Sequence, residues 1–233
     1  MSEPPKRRMV KPPGGGGPAR PEPARLKSGK LRSPSSRAWL ERQIADPFAA
    51  EARAHGYRSR AAFKIREIDD RFALFRPGVR TIDLGCAPGG WLQVARERGA
   101  VVVGIDLLAT EPVAGATILQ GDFTDDACPE RLIVALGGSP DLILSDMAPN
   151  TIGHRQTDHL RIVTLIEAAA AFALESLRPG GAFLAKAFQG GETAAVVASL
   201  KNAFAEVKHV KPKASRAESA EMYLLARGFR GRG

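Results

Sequence analysis

The feature that most constrains this chain is an alternation, sustained from residue 80 to residue 226, of short apolar runs with longer amphipathic ones. Strands are expected at 80–84, 101–106, 117–119, 141–145, 181–186, 206–210 and 222–226, and helices between them at 90–98, 127–136, 158–177 and 192–204. Most of the strand runs are rich in Val, Ile, Leu or Phe, as strands covered on both faces are. Such a repeat builds a mostly parallel sheet with right-handed crossovers and helices on both sides. Its ligands belong at the carboxyl ends of the strands, near the switch point of the sheet. Ahead of the alternation, Ser36 caps a short helix expected at 38–45 and stopped by Asp46-Pro47. A second helix is expected at 59–75, where Ile65, Ile68, Phe72 and Phe75 form an amphipathic stripe and Pro77-Gly78 ends it. Lys64 lies near the start of that helix.

Composition narrows the functional classes. No apolar run approaches the roughly 18 residues of a membrane span, since even the stretch 162–177 contains Glu167 and Glu175. The amino terminus lacks the apolar centre of a signal peptide. Cys86, Cys128 and four scattered histidines give neither a disulfide framework nor a zinc spacing. A cytoplasmic protein without a structural metal and without a membrane role is expected. The net charge of +9 is unevenly placed, because residues 1–37 hold ten Lys/Arg against only Glu3 and Glu22. With eight of the 17 prolines and the run Gly14 to Gly17, residues 1–35 are expected to be a disordered basic tail. Two readings of it stay open: an arm that gains affinity for nucleic acid through phosphate contacts, or a solubilising extension.

The first strand runs into Asp83-Leu84-Gly85-Cys86-Ala87-Pro88-Gly89-Gly90-Trp91, a glycine-rich turn that opens a helix. Its glycines let the backbone approach a ligand, and the helix start offers unpaired N–H donors. The turn is not a dinucleotide fingerprint, since Ala87 stands at the middle glycine position, nor a Walker A loop, since no Gly-Lys-Ser/Thr follows. Alone it is as compatible with a tight turn as with a ligand site. The next strands end in Gly104-Ile105-Asp106, Gln120-Gly121-Asp122-Phe123 and Ser145-Asp146-Met147-Ala148-Pro149-Asn150. Asp106 suits ribose hydroxyls and Asp122 the exocyclic amine of a base, with Phe123 placed to stack on it. Each aspartate singly is more often a turn or cap residue. Four successive strand ends with Gly, Asp, Asp and Asp shift the balance toward a nucleotide-like ligand.

These segments, together with Lys186-Ala187-Phe188-Gln189-Gly190, Lys211-Pro212-Lys213-Ala214-Ser215-Arg216 and Tyr57-Arg58-Ser59-Arg60-Ala61-Ala62-Phe63-Lys64, resemble the FtsJ/RlmE family of ribosomal RNA 2′-O-ribose methyltransferases. The resemblance spans 36–228, a methyltransferase domain, with 229–233 left as a flexible end and the basic tail outside it. It implies an α/β, Rossmann-like class I fold with a seven-stranded, mostly parallel sheet and S-adenosylmethionine as cofactor. It further implies a tetrad of Lys64, Asp146, Lys186 and Glu221, with Lys186 as the base. It assigns Gly89 and Trp91 to the methionine part of the cofactor, Asp106 to its ribose and Asp122 to its adenine, with Asp146 touching both cofactor and tetrad. The implied substrate is a uridine ribose in large-subunit ribosomal RNA; a monomer is expected. A ribose hydroxyl is a poor nucleophile until a base takes its proton, and a lysine can be that base only as the neutral amine; a neighbouring cation favours that form, while carboxylates fix position. For any one of these lysines alone, an ordinary ion pair is the simpler reading.

Asp83 is expected to shape the turn, and Cys86 to be a small loop residue. Met147-Ala148-Pro149 lacks the cysteine of cytosine-C5 enzymes and the Asn/Asp-Pro-Pro-aromatic pattern of base-amine enzymes. Arg216 is a candidate phosphate contact, and His154, Arg155, His159 and Arg161 an RNA-facing loop. Transfer RNA or a messenger cap as substrate, and a non-catalytic RNA-binding assembly factor, remain as alternatives.

Overall fold

The computed structural model describes residues 46–148, 155–188, 194–216 and 219–231, with backbone only at 155–159. The expected helix at 38–45, the tail, Pro149, Asn150, His154, Gln189 and Gly190 lie outside the described residues. The unit Pro47–Gly233 holds helices α1 (Pro47–Ala54), α2 (Ala61–Phe72), α3 (Gly90–Glu97), α4 (Cys128–Leu136), α5 (Arg155–Ser176) and α6 (Ala194–Ala203). Its strands are β1 (Arg80–Leu84), β2 (Val101–Asp106), β3 (Ala116–Gln120), β4 (Leu142–Ser145), β5 (Ala182–Phe188), β6 (Phe204–Val210) and β7 (Glu221–Phe229). They form one seven-stranded sheet in the order β3-β2-β1-β4-β5-β7-β6. All neighbours are parallel except β7, which runs antiparallel between β5 and β6. The order reverses between β1 and β4, so the switch point lies at their carboxyl ends.

The period-2 alternation of side chains divides the core into two layers. Ile82, Leu84, Val103, Ile105, Ile143, Phe183 and Ala185 face α4, α5 and α6. Val102, Leu142, Leu144, Leu184, Tyr223 and Leu225 face α1, α2 and α3. Residues paired in register share a face, so Asp83, opposite Gly104 and Leu144, points to the α1–α3 side. Lys186, opposite Tyr223, does the same.

Pro47 opens a helix that was not expected, since proline at a first helical position loses only an N–H that has no partner there anyway; whether Asp46-Pro47 also stops the expected helix at 38–45 lies outside the described residues. Three expectations are corrected. Helix α2 ends at Phe72, short of residue 75: Ala73 takes a left-handed conformation (φ 51°), and the Asp69 carboxylate accepts the Phe75 N–H at 2.7 Å in place of a helical carbonyl. Residues 155–161 are helical, part of α5, and not a loop. Phe229 and Arg230 are not part of a free end: Phe229 is buried against Phe204, with ring centroids 5.2 Å apart, and Arg230 donates from its main chain to Ala203 O and from its side chain to Asn202 O.

Candidate active site

Four of the singled-out side chains meet as two ion pairs. On α2, Lys64 Nζ lies 2.5 Å from Glu221 Oε1, with side chains 12% and 16% exposed. On β5, Lys186 Nζ lies 3.2 Å from Asp146 Oδ1 and donates to the Asp146 carbonyl at 2.6 Å. Asp146 follows β4 directly, and its own N–H is held by Leu84 O at the end of β1. The sheet explains the meeting. Glu221 and Tyr223 are two apart on β7 and so share a face, and Tyr223 pairs across the ladder with Lys186. Lys186 does not end its strand as expected: β5 runs on to Phe188, so the amine rises from within the ladder.

The two pairs are joined by a residue that the sequence reading missed. Tyr223, fully buried, donates its phenol to Asp146 Oδ1 at 3.0 Å, and Lys64 Nζ sits 5.9 Å from its ring centroid. Burial first, then the charges of Asp146 and Glu221, push the phenol pKa up, so Tyr223 stays a proton donor. Its place opposite Lys186 and two after Glu221 was the available signal.

Beside this group stands the glycine turn. Gly85 (φ +80°) leads it against the end of β4, where a Cβ would come within 2.9 Å of the Met147 backbone. Gly89 (φ 107°) caps α3. Arg58 braces the turn from outside, donating to Pro88 O, Glu111 O and Pro112 O. Asp106 accepts from the Ala87 and Leu108 N–H groups, each at 2.9 Å through a different oxygen. Asp122 Oδ1 accepts from the Thr124 hydroxyl and N–H, which hold its pKa low.

Trp91 and Phe123 are placed differently from the expectation. The Trp91 indole is buried, donates to Ala61 O at 2.9 Å and packs on Tyr223, so this residue presents its main chain to the turn. Phe123 is packed edge-on against Phe172 inside the core and is not available to stack on a base. Cys86 is buried, and burial with the charges of Asp83 and Asp106 pushes its thiol pKa well up, which leaves it an unreactive loop residue.

The sequence model of the FtsJ-like methyltransferase family matches residues 57–229. The chain belongs to that family. Similar to this FtsJ-like methyltransferase is the Ribosomal RNA large subunit methyltransferase E of Caulobacter sp. strain K31, 66% identical over 226 residues, 96% of this chain and 100% of the relative. The protein of the same name from Granulibacter bethesdensis is 56% identical over 209 residues, 89% of this chain and 91% of the relative. A solved Plasmodium falciparum protein assigned as a ribosomal RNA methyltransferase has the same fold, with TM-score 0.66 and 30% identity, covering 76% of this chain and 100% of its own. The Caulobacter match reaches into the basic segment that the motif resemblance left out, since it covers 96% of this chain.

With the family comes S-adenosylmethionine as cofactor, and one buried side chain tests whether this chain fits it. Asp83 is fully buried, and among the described residues neither of its carboxylate oxygens has a hydrogen-bond partner. It does not tie the turn together, contrary to expectation. Burial first, then the charges of Asp146 and Asp106, drive its pKa well up. Three carboxylates at neighbouring strand ends, one of them orphaned, are what a bound cation relieves. The residues fit a cationic cofactor.

Proposed function

We propose that this FtsJ-like methyltransferase transfers a methyl group to the 2′-hydroxyl of a uridine ribose in large-subunit ribosomal RNA, with Lys186 taking the hydroxyl proton. The observation that carries the reading is the Lys186–Asp146 pair at the lip of the glycine turn. Lys186 Nζ has two acceptors from Asp146, its carbonyl at 2.6 Å and its carboxylate at 3.2 Å. Two such bonds engage both N–H groups of a neutral amine and leave its lone pair for the ribose proton. Tyr223 keeps the carboxylate in place, and the Lys64–Glu221 pair flanks the acceptor side.

Bound, S-adenosylmethionine supplies a methyl group on a sulfonium sulfur. Gly89 and the Trp91 main chain serve its methionine part, Asp106 its ribose and Asp122 its adenine. Asp106 retains a lone pair on each oxygen beyond the loop bonds it accepts. What remains for the protein is alignment of the ribose oxygen and removal of its proton. The relatives' names, Ribosomal RNA large subunit methyltransferase E, support a large-subunit substrate, and a monomer working in the cytoplasm on a substrate presented by the folded particle completes the reading. The basic amino-terminal segment adds phosphate contacts; removing residues 1–35 is expected to lower the salt dependence of RNA binding.

The test compares methyl transfer to intact large subunits, naked ribosomal RNA and transfer RNA, with the product mapped to the ribose or the base. Ribose label in large subunits is the expected outcome. Label only in transfer RNA, or on a base, overturns the assignment.

A further inference from the structure

Helix α2 does more than deliver Lys64. Arg60, at its amino-terminal cap, Lys64 and Glu67 stand at i, i+4 and i+7 and so share one face, and all three reach the connection between β6 and β7. The Arg60 guanidinium donates to the Ala214 carbonyl. Glu67 Oε2 accepts from the Lys213 N–H at 2.6 Å and from the Ala214 N–H at 3.3 Å. Lys64 holds Glu221 at the end of the connection. Between these anchors Ser215, nine-tenths buried, has its N–H on Pro212 O and donates its hydroxyl to Glu221 Oε1 at 2.9 Å. The same carboxylate oxygen therefore receives Lys64 from the helix and Ser215 from the connection.

We infer that Glu67 is a positioning residue for the acceptor side of the site: by gripping the main chain at Lys213 and Ala214 it sets the Ser215 hydroxyl, which aims Glu221 at Lys64. The inference rests on the ribose-transfer reading above. A carboxylate with one hydrogen bond from lysine alone can swing about its χ angles; a second donor on the same oxygen, fixed through backbone, leaves one rotamer. Ser215 in turn sits in a tight turn whose two preceding N–H groups have Glu67 as their acceptor. Misplacement of a positioned group by about 1 Å costs up to roughly 100-fold in rate.

The experiment measures kcat, RNA KM and cofactor affinity by calorimetry for wild type and for Lys186→Ala, Glu67→Ala, Glu67→Gln, Ser215→Ala and Ser215→Thr. Expected is a fall in kcat of roughly 10- to 100-fold for Glu67→Ala and Ser215→Ala with cofactor affinity within about twofold of wild type. Glu67→Gln, which keeps an acceptor oxygen, and Ser215→Thr, which keeps the hydroxyl, recover most of the loss. The double alanine variant is no slower than the slower single one, because both act through Glu221. Wild-type kcat in Glu67→Ala, a loss that Glu67→Gln does not recover, or losses that multiply in the double variant, overturn the positioning role. An alanine variant that melts early is judged by its paired conservative variant, whose failure to recover activity once folded counts against the role. If wild type itself transfers no methyl to ribose, or Lys186→Ala is as active as wild type, it is the functional reading that fails.

Discussion

The two faces of the sheet are built to different specifications. Against α4, α5 and α6 lies a layer made of Ile, Leu, Val, Phe and Ala. Against α1, α2 and α3 lies an equally apolar layer that also admits Asp83, Tyr223, Lys186 and, around its rim, Lys64, Ser215 and Glu221. Most polar groups buried on that side are answered by another protein group; among the described residues Ser59 Oγ, Thr81 Oγ1, Arg96 Nε and both Asp83 oxygens are not, and of these only Asp83 is a carboxylate, the group a bound cation would answer. One face is covered by apolar packing; the other uses the same register to bring ionisable groups from several elements together. Stability and chemistry are thus separated by the pleat of single strands: Phe183 and Lys186, three apart on β5, serve opposite faces.

Substitutions sharpen or break that division. The largest effect is expected for Lys186→Ala, a loss of about 10²- to 10⁴-fold in methyl transfer with little change in unfolding free energy; transfer within tenfold of wild type removes Lys186 as the base. Phe183→Ala, on the opposite face, is expected to cost about 3–5 kcal/mol in denaturant unfolding while leaving cofactor affinity at low temperature near wild type. A cost under 1 kcal/mol would make the plain face less important than its burial implies. Tyr223→Phe straddles both roles, since it keeps the ring and removes the donor to Asp146; a loss of about 1–3 kcal/mol is expected together with slower transfer, and a purely thermal effect would break the link between the two ion pairs.

A further effect is read per unit of pH. Asp83 has its pKa raised in the folded protein, so folding favours its neutral form. That contribution is complete below the ordinary aspartate range and is lost as pH rises toward the folded value. Free of cofactor, wild type is therefore expected to lose stability relative to Asp83→Asn by up to about 1.4 kcal/mol per pH unit over that interval. Parallel stability curves for the two proteins between pH 5 and pH 8 would show that Asp83 is ionised throughout.

The sequence disclosed elements whose signal is local. Strands β1 and β2 have the expected bounds because β-branched runs end in Gly-Cys and Asp-Leu, which stop the ladder abruptly. The helix that begins at Pro47 was not foreseen because a proline reads as the end of a preceding helix as readily as the first position of the next. Lys186 was placed at a strand end, yet Ala187 and Phe188 still pair with Met222 and Glu221, a fact that belongs to the partner strand. Among the candidate site residues, Asp106, Asp122 and Asp146 were legible as repeated strand-end carboxylates. Glu67 was not, because its bonds join segments nearly 150 residues apart and no spacing encodes such contacts; Ser215 bonds Glu221 six residues on, but the turn that aims its hydroxyl is held by Glu67. Trp91 and Phe123 were visible as aromatics near the turn, but their side chains are committed to packing, which only the tertiary arrangement decides.

The placement of β7 has a consequence in time. It is the last strand along the sequence, yet it sits between β5 and β6, and it carries both Glu221 and Tyr223. On the proposed reading, the last strand to be synthesised supplies the reacting half of the pocket, so a chain that stops short of Glu221 keeps the glycine turn and its carboxylates in sequence but lacks the partners of Lys64 and Asp146.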